Sequence, residues 1–346
     1  MPSLLILGYG DTHYTDRNPR RLFNYAKESG FEAERRDYSE IRGAPDFEGE
    51  TIKVMLFFPY TFWNENCEVP EDTKLYGTSK RSYELLREFF LEVKGALQQR
   101  YASQQLQYVI PPESAALDRD KIAAIQRLKK GGVPTSELVS YQKLDDILHQ
   151  ISSERGVFVK CRYGAEGKGI MLLQESGWVT NYKVEGATLT NYGIYEQWVF
   201  TDITGRRDLL EQLLEQEVIV EKEIVVPEFF EGKKFDARAY VINGQVPHFF
   251  IRVNERHKVV TNYSQGAQVV HHPQTSLPPE LIVRIREEAV KSAWAFSSNF
   301  LGVDIMVDSC PDGIKVVEVQ TFTDFPDIKC FDLAKYLVSN QSGLFL

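Results

Sequence analysis

Three side chains in the C-terminal third carry the chemistry that narrows the reading most. Asp304 lies in LGVDIMV, and Glu318 and Gln320 lie in IKVVEVQ. Both runs are β-branched and apolar, the pattern of buried strands. Two carboxylates and an amide on neighbouring strands form a hard-oxygen set of the kind Mg²⁺ takes while it also holds nucleotide phosphates. Upstream, VFVKCRYGAEGKGIMLL sets Lys160 at the end of a strand, ahead of a glycine-rich turn containing Gly164, Gly167 and Gly169. A lysine there reaches a phosphate while the pliable turn closes over it. Lys168, inside the turn, is read either as a second phosphate contact or as a solvated loop lysine. Lysine, glycine loop and carboxylate pair together point to ATP and magnesium.

Between these motifs lies a second cluster. EKEI (Glu221, Lys222, Glu223, Ile224) ends an apolar run. It reads either as an adenine site, with backbone groups on the base and a carboxylate on the amine or ribose, or as a solvated strand edge. In KKFDARAYV, Lys234, Asp236 and Arg238 alternate with apolar residues and so share one strand face. Arg238 has the planar fork that suits a phosphoryl group or a carboxylate; a structural Asp236–Arg238 pair is the alternative. Arg252, Arg256, Asn262 and Ser264 follow before Asp304.

The elements that must position these groups fill a chain of 346 residues, 43% hydrophobic and 26% charged. That length allows two or three packed lobes. A net charge of −9 argues against nucleic acid or an anionic membrane as the main partner. No apolar run reaches bilayer-spanning length. The opening MPSLLILGYG lacks a basic leader and reads as a first strand. Cys67, Cys161, Cys310 and Cys330 show no metal-type spacing, which fits a reducing cytoplasm. Cys161 reads as a packed thiol rather than a reactive one.

Residues 1–110 alternate strand and helix, implying a small α/β domain with parallel pairing. Its first helix opens at NPRR with Asn18 as N-cap, and a second runs from Ser79 to Tyr101 with an apolar stripe. A helix starting at Asp120-Lys121 and stopping at Gly131-Gly132 opens residues 111–200, which continue with the helix LDDILHQISSERG and antiparallel strands. Residues 201–346 carry strands VIVEKEIVV and KVVTNYSQGAQVV, a hairpin at Asn243-Gly244, a helix from Pro279 to about Asn299, and a second hairpin around Pro311-Asp312-Gly313.

In order, these motifs resemble the ATP-grasp superfamily, and within it the RimK-like and glutathione-synthetase-like carboxylate–amine ligases. The matching pieces are Asp120-Lys121 with GGVPTSEL, the Lys160 glycine loop, IVEKEIV, FDARAYVINGQV, RVNERHKVVTNYSQGA, and the strands GVDIMV and VVEVQ. They span roughly residues 110–330. The resemblance implies a Rossmann-like N-terminal α/β domain followed by two α+β lobes that sandwich ATP. It implies that Lys121 and Lys160, with Gly164, Gly167, Lys168 and Gly169, hold the phosphates. Glu221, Lys222, Glu223 and Ile224 would hold adenine and ribose, with Asp236 nearby. Arg238, Arg252 and Asn262 would face the transferred phosphoryl. Asp304, Glu318 and Gln320 would bind Mg²⁺, two ions with Mn²⁺ as substitute. The family places Asn where this chain has Gln320, which puts the second metal position in question.

The implied reaction is formation of an amide or peptide bond through an acyl phosphate, with an amino acid or peptide-like acid and amine as substrates and a homodimer or homotetramer as assembly. A kinase and a non-catalytic ATP-binding regulator are the alternatives. The loop from Arg162 to Gly169 reads as the lid. Arg17, Arg20 and Arg21 are read either as substrate-carboxylate contacts or as a solvated helix start. The acidic loop TFWNENCEVPEDTKLYG reads as a cap suited to an amine.

Overall fold

The structure, a computed structural model, describes residues 2–8, 17–68, 74–193, 196–227, 232–263, 266–309, 313–340 and 344–345. Ser264, Cys310, the turn at Pro311-Asp312 and parts of the two N-terminal substrate-loop readings lie outside the described residues.

The N-terminal part runs β1 (Ser3–Leu7), α1 (Arg17–Glu28), β2 (Glu32–Arg36), β3 (Thr51–Leu56), α2 (Tyr60–Asn66), α3 (Lys80–Arg100) and β4 (Gln105–Tyr108). The sheet order is β2-β1-β3-β4, all parallel. Leu4 to Leu7 are buried without alternation, as expected of a parallel strand covered on both faces. Helix α1 already includes Arg17, so Asn18 sits in its first turn and does not cap it. Ser79 does cap α3, its Oγ accepting from the Arg81 amide at 3.2 Å. On α3, Leu86, Phe90, Val93 and Leu97 are buried, and each such side chain contributes about 1.5–3 kcal/mol.

Helix α4 (Lys121–Lys130) comes next and packs into the core of the C-terminal lobe, while the central lobe holds α5 (Leu144–Leu148), β5 (Val157–Cys161), β6 (Ile170–Gln174), β7 (Gly177–Thr180), β8 (Lys183–Glu185), β9 (Thr188–Thr190), β10 (Thr201–Asp202), α6 (Arg207–Leu214) and β11 (Val218–Lys222). Strands β10-β7-β6-β5-β11 form an antiparallel sheet, past residue 200. Helix α5 is far shorter than its sequence pattern suggests, because the stretch beyond His149 carries two serines and a glycine that favour turns. Strand β11 stops at Lys222, short of the full VIVEKEIVV run.

The C-terminal lobe comprises β12 (Lys233–Ile242), β13 (Gln245–Glu255), β14 (Gln268–His271), α7 (Pro279–Phe296), β15 (Phe300–Val307), β16 (Ile314–Gln320) and α8 (Leu333–Ser339). Its antiparallel sheet has the order β14-β13-β12-β15-β16. Asn243 and Gly244 both have positive φ, 50° and 70°, the requirement of a two-residue hairpin turn matched to strand twist. In KVVTNYSQGAQVV only Gln268–His271 forms a strand. Helix α7 buries Ile285, Ala289, Ala293 and Phe296 against one face of this sheet. Helix α8 returns to the N-terminal core, where Leu333, Ala334 and Leu337 are buried. No helix among the described residues is long and apolar enough to cross a membrane.

Candidate active site

The face of the C-terminal sheet away from α7 is unusually charged, and strand register explains why. Asp236 pairs with Arg252, Arg238 with Asp304, and Asp304 with Glu318. Directly paired residues of antiparallel strands point to the same side, so all five lie on one face. A bulge follows the Asp304–Glu318 pair, leaving Val317 as the extra residue, the kind of local re-aiming that bulges supply.

Two arginines grip the carboxylates. Arg238 donates through Nε to Asp304 Oδ1 and through Nη2 to Oδ2, the latter at 2.7 Å. Arg252 donates to Asp236 through Nε at 2.8 Å and also through Nη2, which reaches Asp304 Oδ2 at 2.9 Å. All four residues are buried. Burial alone would raise the Asp304 carboxyl, but the two guanidinium charges outweigh it and hold it below the usual range.

Opposite this face, β5 and β11 of the central lobe present Lys160 and Glu221. Lys160 Nζ donates to Glu221 Oε2 at 2.6 Å, and the Ser136 hydroxyl donates to Oε1. Burial pushes Glu221 up, yet Lys160 and Ser136 overcome it and its carboxyl stays depressed. Asp120 caps α4 by accepting from the amides of Ile122 and Ala123 at 3.1 and 3.2 Å. It also takes a bidentate pair from Arg162 at 2.8 and 2.7 Å. That pair joins the start of α4 to the end of β5, and Lys121 Nζ donates to Gly164 O in the glycine loop.

The loop needs its glycines at specific places. Gly167 and Gly169 have φ of 70° and 69°. A Cβ on Gly167 would lie 2.9 Å from Asn262 Oδ1, and one on Gly169 would lie 2.7 Å from both Cys161 Sγ and Tyr182 Oη. Cys161 is therefore a packed thiol, fully buried, its pKa raised by that burial. Cys67 and Cys330 are likewise unpaired. Lys168 Nζ reaches Glu68 Oε1 at 2.7 Å and Glu166 Oε2 at 3.0 Å. Glu68 is thereby committed to the loop, and to Trp63 Nε1 at 2.6 Å.

Between the two lobes is a cleft open to solvent on one side. It is lined by most of the residues singled out from sequence: Lys121, Lys160, Gly164, Gly167 and Lys168 on one side, Glu221, Lys222 and Ile224 at the back, and Asp236, Arg252, Asn262, Asp304 and Glu318 across from them. Gly169, Glu223, Arg238 and Gln320 do not line it. Gly169 packs behind the loop on Cys161 and Tyr182. Because β11 ends at Lys222, Glu223 leaves the strand alternation; it accepts from the Gly156 amide and Gln174 Nε2, both at 2.9 Å. Arg238 points at Asp304, so the structural pairing of Asp236 and Arg238 expected as an alternative is replaced by Arg252–Asp236 and Arg238–Asp304. Gln320 pairs with Gly302 beyond the cleft wall. Arg20 and Arg21 do not line the cleft either.

Among the described residues no three His, Cys, Asp or Glu side chains form a metal-binding group. The donor set available is the Asp304 and Glu318 carboxylates. A carboxylate offers about four lone-pair directions, and Asp304 uses three on the arginines, leaving one on Oδ1. Glu318 makes no hydrogen bond among the described residues. Two hard oxygen donors on adjacent strands fit Mg²⁺, which takes one or two carboxylates and completes its shell with phosphate and water.

Sequence reasoning passed over Ser136, Asp118 and Arg119. Ser136 reaches Glu221 only because the segment around Leu138 bridges to β11. Asp118 and Arg119 precede the capping Asp120 in LDRD, and three charged residues after an apolar run were the available signal.

Residues 119–309, more than half of the chain, match the YheC/D-like ATP-grasp family. The chain belongs to that family. Solved ATP-grasp structures superpose along nearly its whole length. The ATP-grasp ligase PsnB complexed with minimal precursor gives a TM-score of 0.57 at 14% identity, covering 99% of both chains. The macrocyclase MdnC bound with precursor peptide MdnA, from Microcystis aeruginosa MRC, gives 0.55 at 13%, covering 97% of this chain and 98% of that one. D-alanine–D-alanine ligase from Bacillus anthracis gives 0.51 at 14%, covering 99% and 92%. At such identities the likeness is one of fold, and it makes the two facing sheets of this chain the two halves of an ATP-grasp. No curated protein sequence matches the chain at a significant level.

Proposed function

We propose that this ATP-grasp protein is an ATP-dependent ligase that joins a carboxylate to an amine through an acyl phosphate. The observation that carries the reading is the single cleft in which Lys121, Lys160 and the glycine loop face Asp304 and Glu318. A free carboxylate resists amine attack because of its charge and resonance. In the proposed sequence a carboxylate oxygen bonds to the γ-phosphorus as the bond to ADP breaks. The amine then adds to the acyl carbon, phosphate leaves with the bonding electrons, and the nitrogen sheds a proton. No protein nucleophile is required.

Lys121, Lys160 and Lys168 would neutralise the phosphates. Glu221, Lys222 and the backbone to Ile224 would seat adenine and ribose; Glu223 is left out of that set. Arg252 and Asn262 would face the γ-phosphoryl, while Arg238 acts through Asp304. Asp304 and Glu318 would hold Mg²⁺, which when bound supplies charge neutralisation at the phosphates. The Arg162–Gly169 loop would exclude water. Structures of PsnB with precursor peptide PsnA2 and AMPPNP and of MdnC with precursor peptide MdnA superpose, and another PsnB complex contains Mg and ADP. These support a peptide or amino-acid substrate and the use of ATP with magnesium; a RimK-like place within the superfamily rests on the order of the sequence motifs.

The test is MgATP turnover with pooled amino acids, peptides and carboxylic acids, products weighed by mass spectrometry. ADP, phosphate and a condensation product only when acid and amine are both present is the expected result. A product heavier by one phosphoryl group would instead make the protein a kinase. ATP binding with no turnover in any pool would favour the regulatory reading, to which the engagement of Asp304 by two arginines lends some support.

A further inference from the structure

Arg119 is set differently from the buried Arg238 and Arg252 and the half-buried Arg162. Arg162, Arg238 and Arg252 each make a bidentate pair with a carboxylate. Arg119, whose side chain is only 14% exposed, has Asp118 Oδ1 at 3.9 Å, beyond hydrogen-bond reach. Its Nε and that Oδ1 are both buried without a hydrogen-bond partner among the described residues. A buried guanidinium left so under-used is costly unless something else fills its donors. Its plane is held against two aromatic faces of the N-terminal part, Phe58 at 4.8 Å and Trp63 at 5.3 Å from ring centroid to Cζ. Its charge also feels Glu318.

Those neighbours place Arg119 between two cavities. Asp118 and Glu318 belong to the wall of the nucleotide cleft. Phe58 belongs to a second recess, open to solvent, with Phe57, Tyr60, Phe322 and Phe325 on its walls and Asn18, Thr323 and Asp324 as its polar groups; Arg119 itself lines neither space but touches the walls of both. This second cavity opens beside the carboxyl end of β3, next to β1. In the order β2-β1-β3-β4 that is where the strand order reverses, and ligands of open α/β sheets collect at such points.

We propose that Arg119 anchors the carboxylate of the acid substrate at the boundary of the two cavities, and that the aromatic cavity selects an acid with an aromatic or branched apolar side chain. The inference rests on the ligase reading above and names its acid. The guanidinium donates two hydrogen bonds to the carboxylate, whose outer oxygen then faces the γ-phosphoryl beside Glu318. When that oxygen takes the phosphoryl and ADP leaves, Arg119 retains a bond to the acyl oxygen and keeps the acyl phosphate in place for the amine.

The test measures binding, so it does not depend on turnover. Full-length protein saturated with MgADP is titrated with 3-phenylpropanoate and with acetate, followed by calorimetry and by tryptophan fluorescence, Trp63 lying against Arg119. Wild type is expected to bind phenylpropanoate at least tenfold more tightly than acetate. Arg119→Met keeps the apolar stem packed between the rings and is expected to weaken phenylpropanoate roughly ten- to a hundredfold, the range for charged hydrogen bonds, with MgADP affinity unchanged within about twofold. Phe325→Ala is expected to weaken phenylpropanoate alone. Arg119→Lys, which keeps the charge, reports on the same contact if the Met variant melts early. Equal phenylpropanoate affinity in wild type and Arg119→Met, or a parallel loss of MgADP, overturns the anchor. Equal affinity of wild type for the two acids overturns the apolar selection. Failure of the ligase reading shows separately, as absence of condensation in the turnover assay while acid binding persists.

Discussion

Asp304 and Glu318 are paired on adjacent strands yet sit in opposite circumstances. Asp304 is buried and held by Arg238 and Arg252, whereas Glu318 lines the cleft and makes no hydrogen bond among the described residues. Removing charge at each should therefore separate catalysis from stability. Glu318→Gln is expected to cut ATP turnover at least a hundredfold, on the scale of losing one oxygen donor to a catalytic metal or its second shell, while the urea midpoint barely moves. Asp304→Asn leaves the buried Arg238 guanidinium without its carboxylate and Arg252 with Asp236 alone, and is expected to lose about 3–5 kcal/mol of stability. Urea unfolding of both variants beside a turnover assay checks this. Full activity in Glu318→Gln would remove it from the metal site, and an unaltered midpoint in Asp304→Asn would mean the arginine grip is worth little. The legibility of this site follows the same division. That Lys160, Gly164, Gly167, Asp304 and Glu318 share one cleft was readable because each signal is local: strand pattern, turn residues, a charge where an apolar residue is expected. Arg119 was not, because its meaning comes from Phe58 and Trp63, about sixty residues away in sequence. Glu223, read with Glu221 as one adenine and ribose segment, lies off the cleft because β11 ends at Lys222 and the chain turns there.

At the scale of elements, β13 and β14 carry a histidine pair that the nucleotide cleft does not use. His248 Nε2 lies 3.0 Å from His271 Nδ1. The His248 ring stacks on Phe331 with centroids 4.9 Å apart and is nearly inaccessible. Burial first, then the neighbouring His271, lowers its pKa to about 4. The sign follows from linkage: a histidine held neutral in the fold binds its proton more readily when unfolded. Stability is then complete above its ordinary value near 6.5 and falls as pH drops toward 4. Between pH 7 and pH 4.5 the loss from this one group is about 2 kcal/mol. His248→Phe, which keeps the stacking surface, should flatten that decline. Urea midpoints at the two pH values in wild type and variant measure it, and equal slopes would assign the acid sensitivity elsewhere. From sequence the strands and the Asn243-Gly244 turn were plain, but which face His248 and His271 share required the register between β13 and β14.

Across the whole molecule, the glycine loop is tied to the N-terminal part as well as to the ATP-grasp lobes. Ala165 donates its amide to Tyr76 Oη at 3.2 Å, Tyr163 donates to Gly77 O at 2.8 Å, and Lys168 meets Glu68 at 2.7 Å. A Cβ on Gly77 would fall 2.7 Å from Gly164, so the approach of these two segments is as close as backbone allows. Glu68 is 9% exposed and also takes Trp63 Nε1, which fixes α2 and the loop to one carboxylate. If Lys168 is to serve a phosphate, it must exchange Glu68 for it, so nucleotide binding and release of α2 are linked through this ion pair. Glu68→Gln keeps an oxygen for Trp63 but removes the charge that competes for Lys168. The expected result is faster amide exchange across residues 163–169 without nucleotide, and a lower KM for ATP. Stability should fall by about 1–3 kcal/mol, the range for a buried polar group that loses its partner, moderated by Glu166. Exchange that stays at the wild-type rate, with KM unmoved, would show that Tyr76 and Gly77 hold the loop by themselves. In that case the N-terminal part and the phosphate loop would be coupled by backbone packing rather than by charge, and salt would leave the coupling unchanged instead of weakening it.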